Sequence, residues 1–284
     1  MPSYRYCRSD DIPLLVQAYN ECYRVHFPDL PRMSVERFKG LLRRIDLWTS
    51  SCMIALSGDE PIAVLLATKR EDETLIHAIG VRPGHQRQGH ARHLLRSLSS
   101  KLAILGPPRM VAEVPRNLDA ARALLEAGGY REERVYTDFL LRSPAENCEP
   151  SPLVIPVRLE ELQAHGVLDS RAVRCWARSP RTLLAQAEVI RGLAVAPHER
   201  IEAWLLLAEQ PEDAALRLLA FDSADARRTR IWFELLLRQA RRDDSRPLRI
   251  DRVWPGELEF DLLHSCGFEA QEETLGYAAE PVAG

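Results

Sequence analysis

The sequence contains no apolar run of the ~18 residues that a membrane-spanning helix needs, which argues against a membrane protein. It also lacks CxxC pairs. Its six cysteines are scattered, so we expect isolated intracellular thiols rather than a disulfide framework or a metal site. The first residues have none of the features of a secretory leader. Together these absences predict a cytoplasmic protein without bound metal.

Lysine is scarce as well, with three residues against abundant arginine, and the net charge is −3. The charge is unevenly divided. Residues 1–145 carry 21 Lys and Arg against 17 Asp and Glu, and the remainder carries 17 against 24. A mildly basic first half suits an anionic cofactor. Neither half is basic enough to predict binding of nucleic acid.

The most informative segment is a turn between a predicted strand and a predicted helix. An apolar run over residues 74–81 leads into it, and apolar residues at helical spacing lead out of it. Gly89 and Ala91 carry little side chain, so an anion can approach the backbone there. The helix N-terminus adds unsatisfied N–H donors and a partial positive charge. With three arginines around it (Arg82, Arg87 and Arg92), the turn is predicted to hold a phosphate or pyrophosphate.

The spacing of Gln86, Gly89 and Ala91 resembles the acyl-CoA pyrophosphate loop of the GNAT superfamily, the CoA-dependent N-acyltransferases. A second segment, from Asn117 to Tyr130, is similar to the family's Asn…Ala…Leu-Glu-x-x-Gly-Phe/Tyr pattern. The predicted order of elements, β-αα-βββ-α-β-α-β, is also the GNAT order. Its first helix is predicted over residues 12–24. The resemblance covers about the first 140 residues.

The second half of the chain repeats this organisation. A proline-rich polar break at residues 143–152 is the best linker, so we expect one GNAT-like domain at residues 1–145 and another at residues 151–284. The second contains a predicted hairpin across residues 197–200 and a long helix over residues 224–242. The predicted fold class is α/β, with two tandem GNAT-like domains, each a mostly antiparallel mixed sheet flanked by helices. We expect a monomer or a homodimer.

The second copy departs from the pattern at its equivalent of the phosphate turn. This turn has no glycine and carries Asp222 and Asp225 near the place of a pyrophosphate. Side-chain bulk and like-charge repulsion both oppose binding there, although Arg227 and Arg228 weaken the argument. We therefore predict a degenerate domain that has lost the cofactor.

For the first domain, the resemblance implies transfer of an acetyl or other acyl group from CoA to an amine, with acetyl-CoA as the default co-substrate. Backbone amides of the turn would anchor the cofactor, and the end of the preceding strand would polarise the thioester carbonyl. Gly80 would let the pantetheine arm run close, and Asn117 fits either this arm or a helix N-cap. The predicted cofactor-binding residues are Ile79, Gly80, Val81, Gln86, Arg87, Gln88, Gly89, His90, Ala91, Arg92 and Asn117.

Removal of a proton from the amine requires a base, and His77 is the first candidate because imidazole titrates near neutrality. A hydrogen-bonded core histidine is the alternative interpretation. Glu73 is a second catalytic candidate, acting through water, although a solvated turn residue fits it as well. Many family members have a tyrosine that protonates the leaving thiolate, but Leu125 stands there in this chain. Tyr23, Tyr136 or solvent would have to replace it.

The sequence does not name the acceptor, and a small-molecule amine, an amino sugar, an antibiotic, a protein N-terminus or a lysine all fit. The alternative to an enzyme is a non-catalytic acyl-CoA-binding sensor, in which the missing tyrosine signals lost chemistry. Three histidines cluster at the turn: His85, His90 and His93. They lack a matching carboxylate or cysteine, so a phosphate-facing cluster is favoured over a metal site.

Overall fold

The computed structural model describes residues 1–142, 149–168, 174–197, 200–208, 214–242 and 244–283. The chain forms two compact units. Unit 1 comprises Met1–Arg134 together with the chain from Leu275 onward, and unit 2 comprises Val135–Thr274. Part of the predicted linker (143–148), with Cys148, and part of the predicted hairpin turn (198–199) lie outside the described residues.

Unit 1 contains five strands and four helices before residue 134. They are β1 (Ser3–Tyr6), α1 (Ile12–Ala18), α2 (Val35–Arg44), β2 (Met53–Ser57), β3 (Glu60–Ala67), β4 (Glu73–Val81), α3 (His90–Leu105), β5 (Arg109–Pro115) and α4 (Asp119–Ala127). The strands lie in the order β1-β2-β3-β4-β5. All neighbours are antiparallel except β4 and β5, which are parallel.

Unit 2 repeats this arrangement. Its elements are β6 (Arg131–Leu141), β7 (Val154–Val157), α5 (Leu159–Ala164), α6 (Pro180–Leu184), β8 (Ile190–Val195), β9 (Ala203–Ala208), β10 (Leu216–Ser223), α7 (Thr229–Arg241), β11 (Leu248–Val253) and α8 (Phe260–Ser265). The order in space is β6-β11-β10-β9-β8-β7. The parallel pair here is β10 with β11, the counterpart of β4 with β5. The predicted fold class, α/β with a mostly antiparallel mixed sheet flanked by helices, is confirmed.

The last strand, β12 (Glu269–Ala279), ends in unit 1, where it is a neighbour of β5. There the Tyr277 hydroxyl donates to Glu126 Oε1 at 2.9 Å, and Val282 N donates to Ser99 Oγ at 2.8 Å. Conversely, most of β6 belongs to unit 2. The compact units are therefore not identical to the two sequence repeats, which remain a prediction about the chain.

Each unit has its own apolar core, as the alternating burial of its strands requires. In unit 1 the fully buried side chains include Phe38, Ile54, Leu65 and Leu94. In unit 2 a continuous cluster surrounds Phe233 on α7. No helix in the described part of the chain is long and apolar enough to cross a membrane. The five described cysteines are all free thiols.

Two predicted helices were too long. The helix predicted over residues 12–24 ends at Ala18, because the chain continues as a single π-helical turn, Tyr19–Tyr23. The helix predicted over residues 224–242 begins only at Thr229, because the residues before it form a hydrogen-bonded turn. The helix α2 begins at Val35, with Ser34 as its N-cap.

Candidate functional site

The parallel strands β4 and β5 separate along their length in unit 1. Their pairing runs from Glu73 opposite Arg109 to Ile76 opposite Ala112 and then stops. A cleft of about 800 Å³ opens where the strands part. Its volume is in the range of sites that enclose a small molecule or cofactor.

A β-bulge lies in β4 at this point and changes which of its backbone groups point toward β3. The register with β3 shifts by one residue between Ile76 and Ala78, so that His77 is the extra residue. Beyond the bulge, Arg82 N donates to Ile62 O. Hydrogen-bonded and non-hydrogen-bonded pairs alternate in an antiparallel ladder, so the N–H groups of Ile79 and Val81 point away from β3. They are available on the side where β5 has moved away.

The turn between β4 and α3 presents a row of backbone donors. The N–H groups of residues 86–92 donate to no acceptor in the part of the chain that the structure describes, whereas His93 N already bonds to Gly89 O inside the helix. Most of these residues are exposed, so a ligand can reach their N–H groups. A helix N-terminus with such a row is a site for an anion.

Backbone conformation explains the glycines of this turn. Gly84 and Gly89 have φ of 88° and 85°, in the left-handed region that favours glycine, and Arg87 also has a positive φ of 58°. No atom lies within 4 Å of where a Cβ on Gly89 would be, so this position opens onto the cleft. Gln88 Nε2 donates to Gly84 O at 3.2 Å and braces the turn.

The three arginines around the turn are not equivalent. Arg82 Nη1 is 2.7 Å from Glu60 and 3.9 Å from Glu21, so its charge is already compensated. Arg87 and Arg92 line the cleft and make no ion pair within the described residues. The cations that remain for an anionic ligand are therefore Arg87 and Arg92.

Comparison with known proteins agrees with this geometry. Residues 12–130 match the model of the acetyltransferase (GNAT) family. The matched residues make up most of unit 1, which is therefore similar to a GNAT domain. A search of curated proteins found no match to the chain.

Solved structures extend the likeness to the whole chain. A GCN5-related N-acetyltransferase from Sphaerobacter thermophilus matches with a TM-score of 0.68 at 14% identity, covering 98% of this chain and 95% of that one. A tandem GNAT protein from the clavulanic acid biosynthesis pathway matches with a TM-score of 0.66 at 13% identity, covering 99% of each chain. A GCN5-related N-acetyltransferase from Anabaena variabilis gives 0.63 at 12% identity, with coverages of 98% and 72%. At these identities the likeness shows the fold, a tandem GNAT-like one.

The GNAT cleft gathers most of the residues predicted from the sequence. Ten of the eleven predicted cofactor-binding residues line it, and Gln88 is the exception because it faces back into its own turn. Asn117 lines the cleft with an exposed side chain, and the N-cap of α4 is Leu118, so the capping interpretation of Asn117 is not supported. Leu125 also lines it and is buried.

The two predicted catalytic residues are separated by the structure. His77 lines the cleft at the bulge and is half-buried. Glu73 does not line it: it lies at the start of β4, where its carboxylate is 3.7 Å from Arg109 Nε. Burial, with Asp72 adding repulsion, raises the pKa of Glu73. Tyr136 does not line the cleft either, whereas Tyr23 does.

The structure gives a reason for glycine at position 80 other than the approach of the pantetheine arm, which the sequence suggested. A Cβ at this position would lie 2.3 Å from Cys22 O and 2.8 Å from Tyr23 Cα, both in the π-helical turn. Gly80 is therefore required so that the π-helical turn can pack directly on β4. The packing in turn brings Tyr23 to the edge of the cleft.

Sequence reasoning missed His26, which follows the π-helical turn and lines the cleft. Its Nε2 lies 2.8 Å from the carbonyl oxygen of Val81, the last residue of β4. Phe27 lines the cleft too, with its ring 4.9 Å from that of Tyr23. No local motif marks His26, because its partner is 55 residues away in the chain.

Of the three histidines of the turn, only His90 is buried, whereas His85 is half-buried and His93 is exposed. His90 is 4% exposed, and its Nδ1 lies 2.6 Å from the Tyr4 hydroxyl. The Tyr4 ring stacks on His93 at 3.9 Å, and His85 lies 6.3 Å from His90 between ring centres. Burial lowers the pKa of His90, and His85 and His93 add to the effect. Among the described residues no group of His, Cys, Asp and Glu could hold a metal ion.

Unit 2 retains the bulge but closes the equivalent turn. In β10 the extra residue is Leu219, the counterpart of His77. The turn before α7 satisfies part of its donors, with Ser223 N on Asp222 Oδ1 (2.8 Å), Ala224 N on Glu202 O (2.8 Å), Arg227 N on Asp225 Oδ1 (2.9 Å) and Arg228 N on Asp225 O (3.0 Å). Within the described residues, the N–H groups of residues 225, 226 and 229–231 donate to no acceptor. The aspartates thus take up N–H groups of the kind that stay open in unit 1.

A buried arginine fills the space between the separating strands of unit 2. The pairing of β10 with β11 covers only two residues, and beyond it Arg178 Nη1 donates to Leu219 O at 2.9 Å. Its Nε and Nη2 donate to the carbonyl oxygens of Asp251 and Arg252 at 2.6 and 3.0 Å. Glu257 accepts two more bonds from Arg178, at 2.5 and 2.7 Å.

This buried pair is electrostatically satisfied. The Arg178 side chain is 3% exposed and the Glu257 side chain 6%. Burial alone would lower the pKa of Arg178, but the Glu257 carboxylate outweighs it and holds the pKa above its usual value. The guanidinium joins β10 to β11 in the place where the strands of unit 1 leave a cleft.

Proposed function

We propose that the protein transfers an acetyl group from acetyl-CoA to a primary amine, by direct attack of the amine in a ternary complex. The observation that carries this proposal is the row of open backbone N–H groups at residues 86–92 beside the cleft of a GNAT domain. A pyrophosphate is the ligand whose charge and size suit such a row. Arg87 and Arg92 would add their charges to it.

The same cleft has what the remainder of the donor requires. The N–H groups of Ile79 and Val81 are aimed into it and would polarise the thioester carbonyl, as oxyanion donors do. Asn117 is exposed on the facing side and would contact the pantetheine arm. Acetyl-CoA supplies the activated acyl group. The protein has to orient the amine and accept its proton, and two histidines, His26 and His77, line the cleft for that step.

We further propose one cofactor per chain, held by unit 1. Unit 2 would serve the acceptor or the fold, since two aspartates occupy its turn and Arg178 fills the gap between its strands. Residues 1–145 and 151–284 are kept as the proposed repeats of the sequence.

The alternative is a non-catalytic acyl-CoA-binding module, which the presence of buried Leu125 in place of the usual tyrosine favours. The test is thiol release from acetyl-CoA across a panel of amines, read together with the mass of each amine. Turnover of any amine with a gain of one acetyl group excludes the sensor. Tight binding of CoA without turnover of any amine would replace the enzyme by the sensor.

A further inference from the structure

His26 is held in place by its own segment. Asn20 makes two hydrogen bonds to the backbone of Met33, at 2.9 and 3.0 Å, and Arg24 Nε donates to Leu30 O at 2.8 Å. These bonds fix both sides of the short turn that ends at His26. The imidazole is exposed and lines the cleft, so a bound molecule can reach it.

The contact with Val81 decides which ring nitrogen of His26 is protonated. A carbonyl oxygen only accepts, so Nε2 must carry a proton to bond Val81 O at 2.8 Å. In the neutral ring Nδ1 then carries the lone pair. Nδ1 has no partner among the described residues. Gln86 Nε2 lies 3.4 Å from the same Nε2, and two donors repel, so we assign the amide with its oxygen toward His26.

The position of His26 is next to the polarising donors. Val81 O is its anchor, and Val81 N is one of the two N–H groups aimed into the cleft. The basic nitrogen, Nδ1, thus belongs to a ring that is hydrogen-bonded to Val81, the residue whose N–H would bind the thioester carbonyl. His77, by contrast, is half-buried at the bulge and already interacts with other groups of the folded chain.

Resting on the proposed acetyl transfer, we propose that His26 is the catalytic base that takes the proton of the attacking amine. The amine lone pair forms the new C–N bond while the C–S bond of the thioester breaks. The ammonium proton passes to His26 Nδ1, and the departing thiolate takes up a proton from the imidazolium or from water. The products are the N-acetylated amine and CoA. This assigns to His26 the step that sequence reasoning gives to His77.

The test uses the full-length protein, with spermidine, tyramine and glucosamine as probe amines, and compares three glutamine variants and His26→Ala. His26→Gln keeps an Nε2–H that can still bond Val81 O but removes the basic nitrogen. His77→Gln is the same change at the rival base. His165→Gln is the matched control, because His165 is an exposed histidine at the end of α5 in unit 2.

We expect His26→Gln to lower kcat by about 10²–10⁴-fold with the best probe amine, the usual contribution of a positioned base. The pH profile of its rate should change, while its affinity for CoA, measured by calorimetry, stays within about threefold. The other titratable or charged groups on the cleft that could shape the profile are Tyr23, His77, His85, His90, Arg87, Arg92, Glu113 and Asp119. His165→Gln should behave as wild type. His26→Ala should regain activity on addition of imidazole, since the site is open.

Each possible result supports or overturns the assignment of His26 as the base. If His26→Gln keeps the wild-type rate and pH profile while the wild type acetylates a probe amine, His26 only holds Val81 and the assignment is wrong, whereas the proposed function stands. If His77→Gln instead shows the large loss and the altered profile, the base is His77. If the wild type binds CoA but acetylates no amine, both the acetyl transfer and the role of His26 are overturned.

Discussion

The two halves of this chain build the same turn and the same pair of separating strands, and they use them in opposite ways. In unit 1 the N–H groups of residues 86–92 stay open, and the space between β4 and β5 is a cleft. In unit 2, the side chains of Asp222 and Asp225 each accept one N–H group of the turn, and Arg178 bonds both β10 and β11. The difference shows that a fold can be kept while its cleft is filled by the chain's own side chains.

The largest effect on CoA binding is expected when an aspartate is placed in the open turn of unit 1. Gly89→Asp puts a Cβ at φ 85° and a carboxylate beside the proposed pyrophosphate. A left-handed conformation costs about 1–2 kcal/mol, and like charges ~4 Å apart cost about 4 kcal/mol at an effective dielectric constant of ~20. We expect the affinity for CoA, measured by calorimetry, to fall on the order of 10³-fold.

The control for this variant is Gly58→Asp, in the hairpin between β2 and β3. Gly58 also has a positive φ, of 61°, and open space around it, but it does not line the cleft. Its affinity for CoA should be unchanged. Equal losses in both variants would mean that backbone strain, and not the turn as an anion site, explains the effect.

The next largest effect is expected in unit 2. Arg178→Met removes the guanidinium that makes two bonds to the buried Glu257 carboxylate and leaves only Arg174 beside it, at 3.3 Å; breaking such a buried pair typically costs about 3–5 kcal/mol of unfolding free energy. Urea unfolding followed by circular dichroism measures it. Arg174→Met and Arg178→Met combined with Glu257→Leu should recover much of the loss, because no charge of this buried group is then left alone.

The exposed pair Arg158–Glu161 provides the matched control, and Arg158→Met should have little effect on stability. The Arg178 variant should still bind one CoA per chain, because Asp222 and Asp225 continue to hold the turn of unit 2. Two equal sites in the variant would mean that Arg178 alone keeps the second cofactor out.

A smaller effect on CoA affinity should distinguish the arginines around the turn between β4 and α3. Arg87→Ala removes an uncompensated charge from the cleft, and a charge-assisted hydrogen bond of about 1.5–3 kcal/mol predicts a loss of CoA affinity of roughly tenfold or more. Arg82→Ala removes a cation that is already paired with Glu60, so its loss should be less than about threefold. Equal losses in calorimetry would contradict the distinction between them.

The smallest effect concerns the strand that ends in unit 1. Tyr277→Phe removes the hydrogen bond to Glu126, which should lower the unfolding free energy by about 1 kcal/mol. Tyr130→Phe is the comparison, because the Tyr130 hydroxyl bonds only a methionine sulfur, at 3.6 Å. Hydrogen exchange of α4 should report the loss in the first variant and little change in the second.

Features that depend on neighbours in the sequence could be predicted. The strand, turn and helix around Gly89 follow from an apolar run, a glycine and a helical pattern, and the aspartates at 222 and 225 were correctly interpreted as departures from the phosphate turn. The late start of α7 has the same local cause, because Asp225 accepts hydrogen bonds from residues that would otherwise form the first turn of the helix.

Features that depend on distant partners could not be predicted. Arg178 meets Leu219 and Glu257 across 41 and 79 residues, and no spacing rule links them. Gly80 is a glycine because Cys22 packs on it, which a strand pattern does not reveal. His26 is a candidate base only because its ring reaches Val81. The residues of the candidate site that lie on one turn were thus accessible to sequence reasoning, and those brought in by packing were not.

The assignment of the chain from Leu275 onward to unit 1 has a consequence for biosynthesis. On the ribosome, the residues of unit 1 up to Arg134 emerge first, but the strand that lies beside β5 is translated after the whole of unit 2. While roughly 140 further residues are synthesised, which takes about 7–28 s at ~5–20 residues/s, the β5 edge of the sheet in the nascent unit 1 therefore stays uncovered. The second unit, although it comes later in translation, is the first that can be completed.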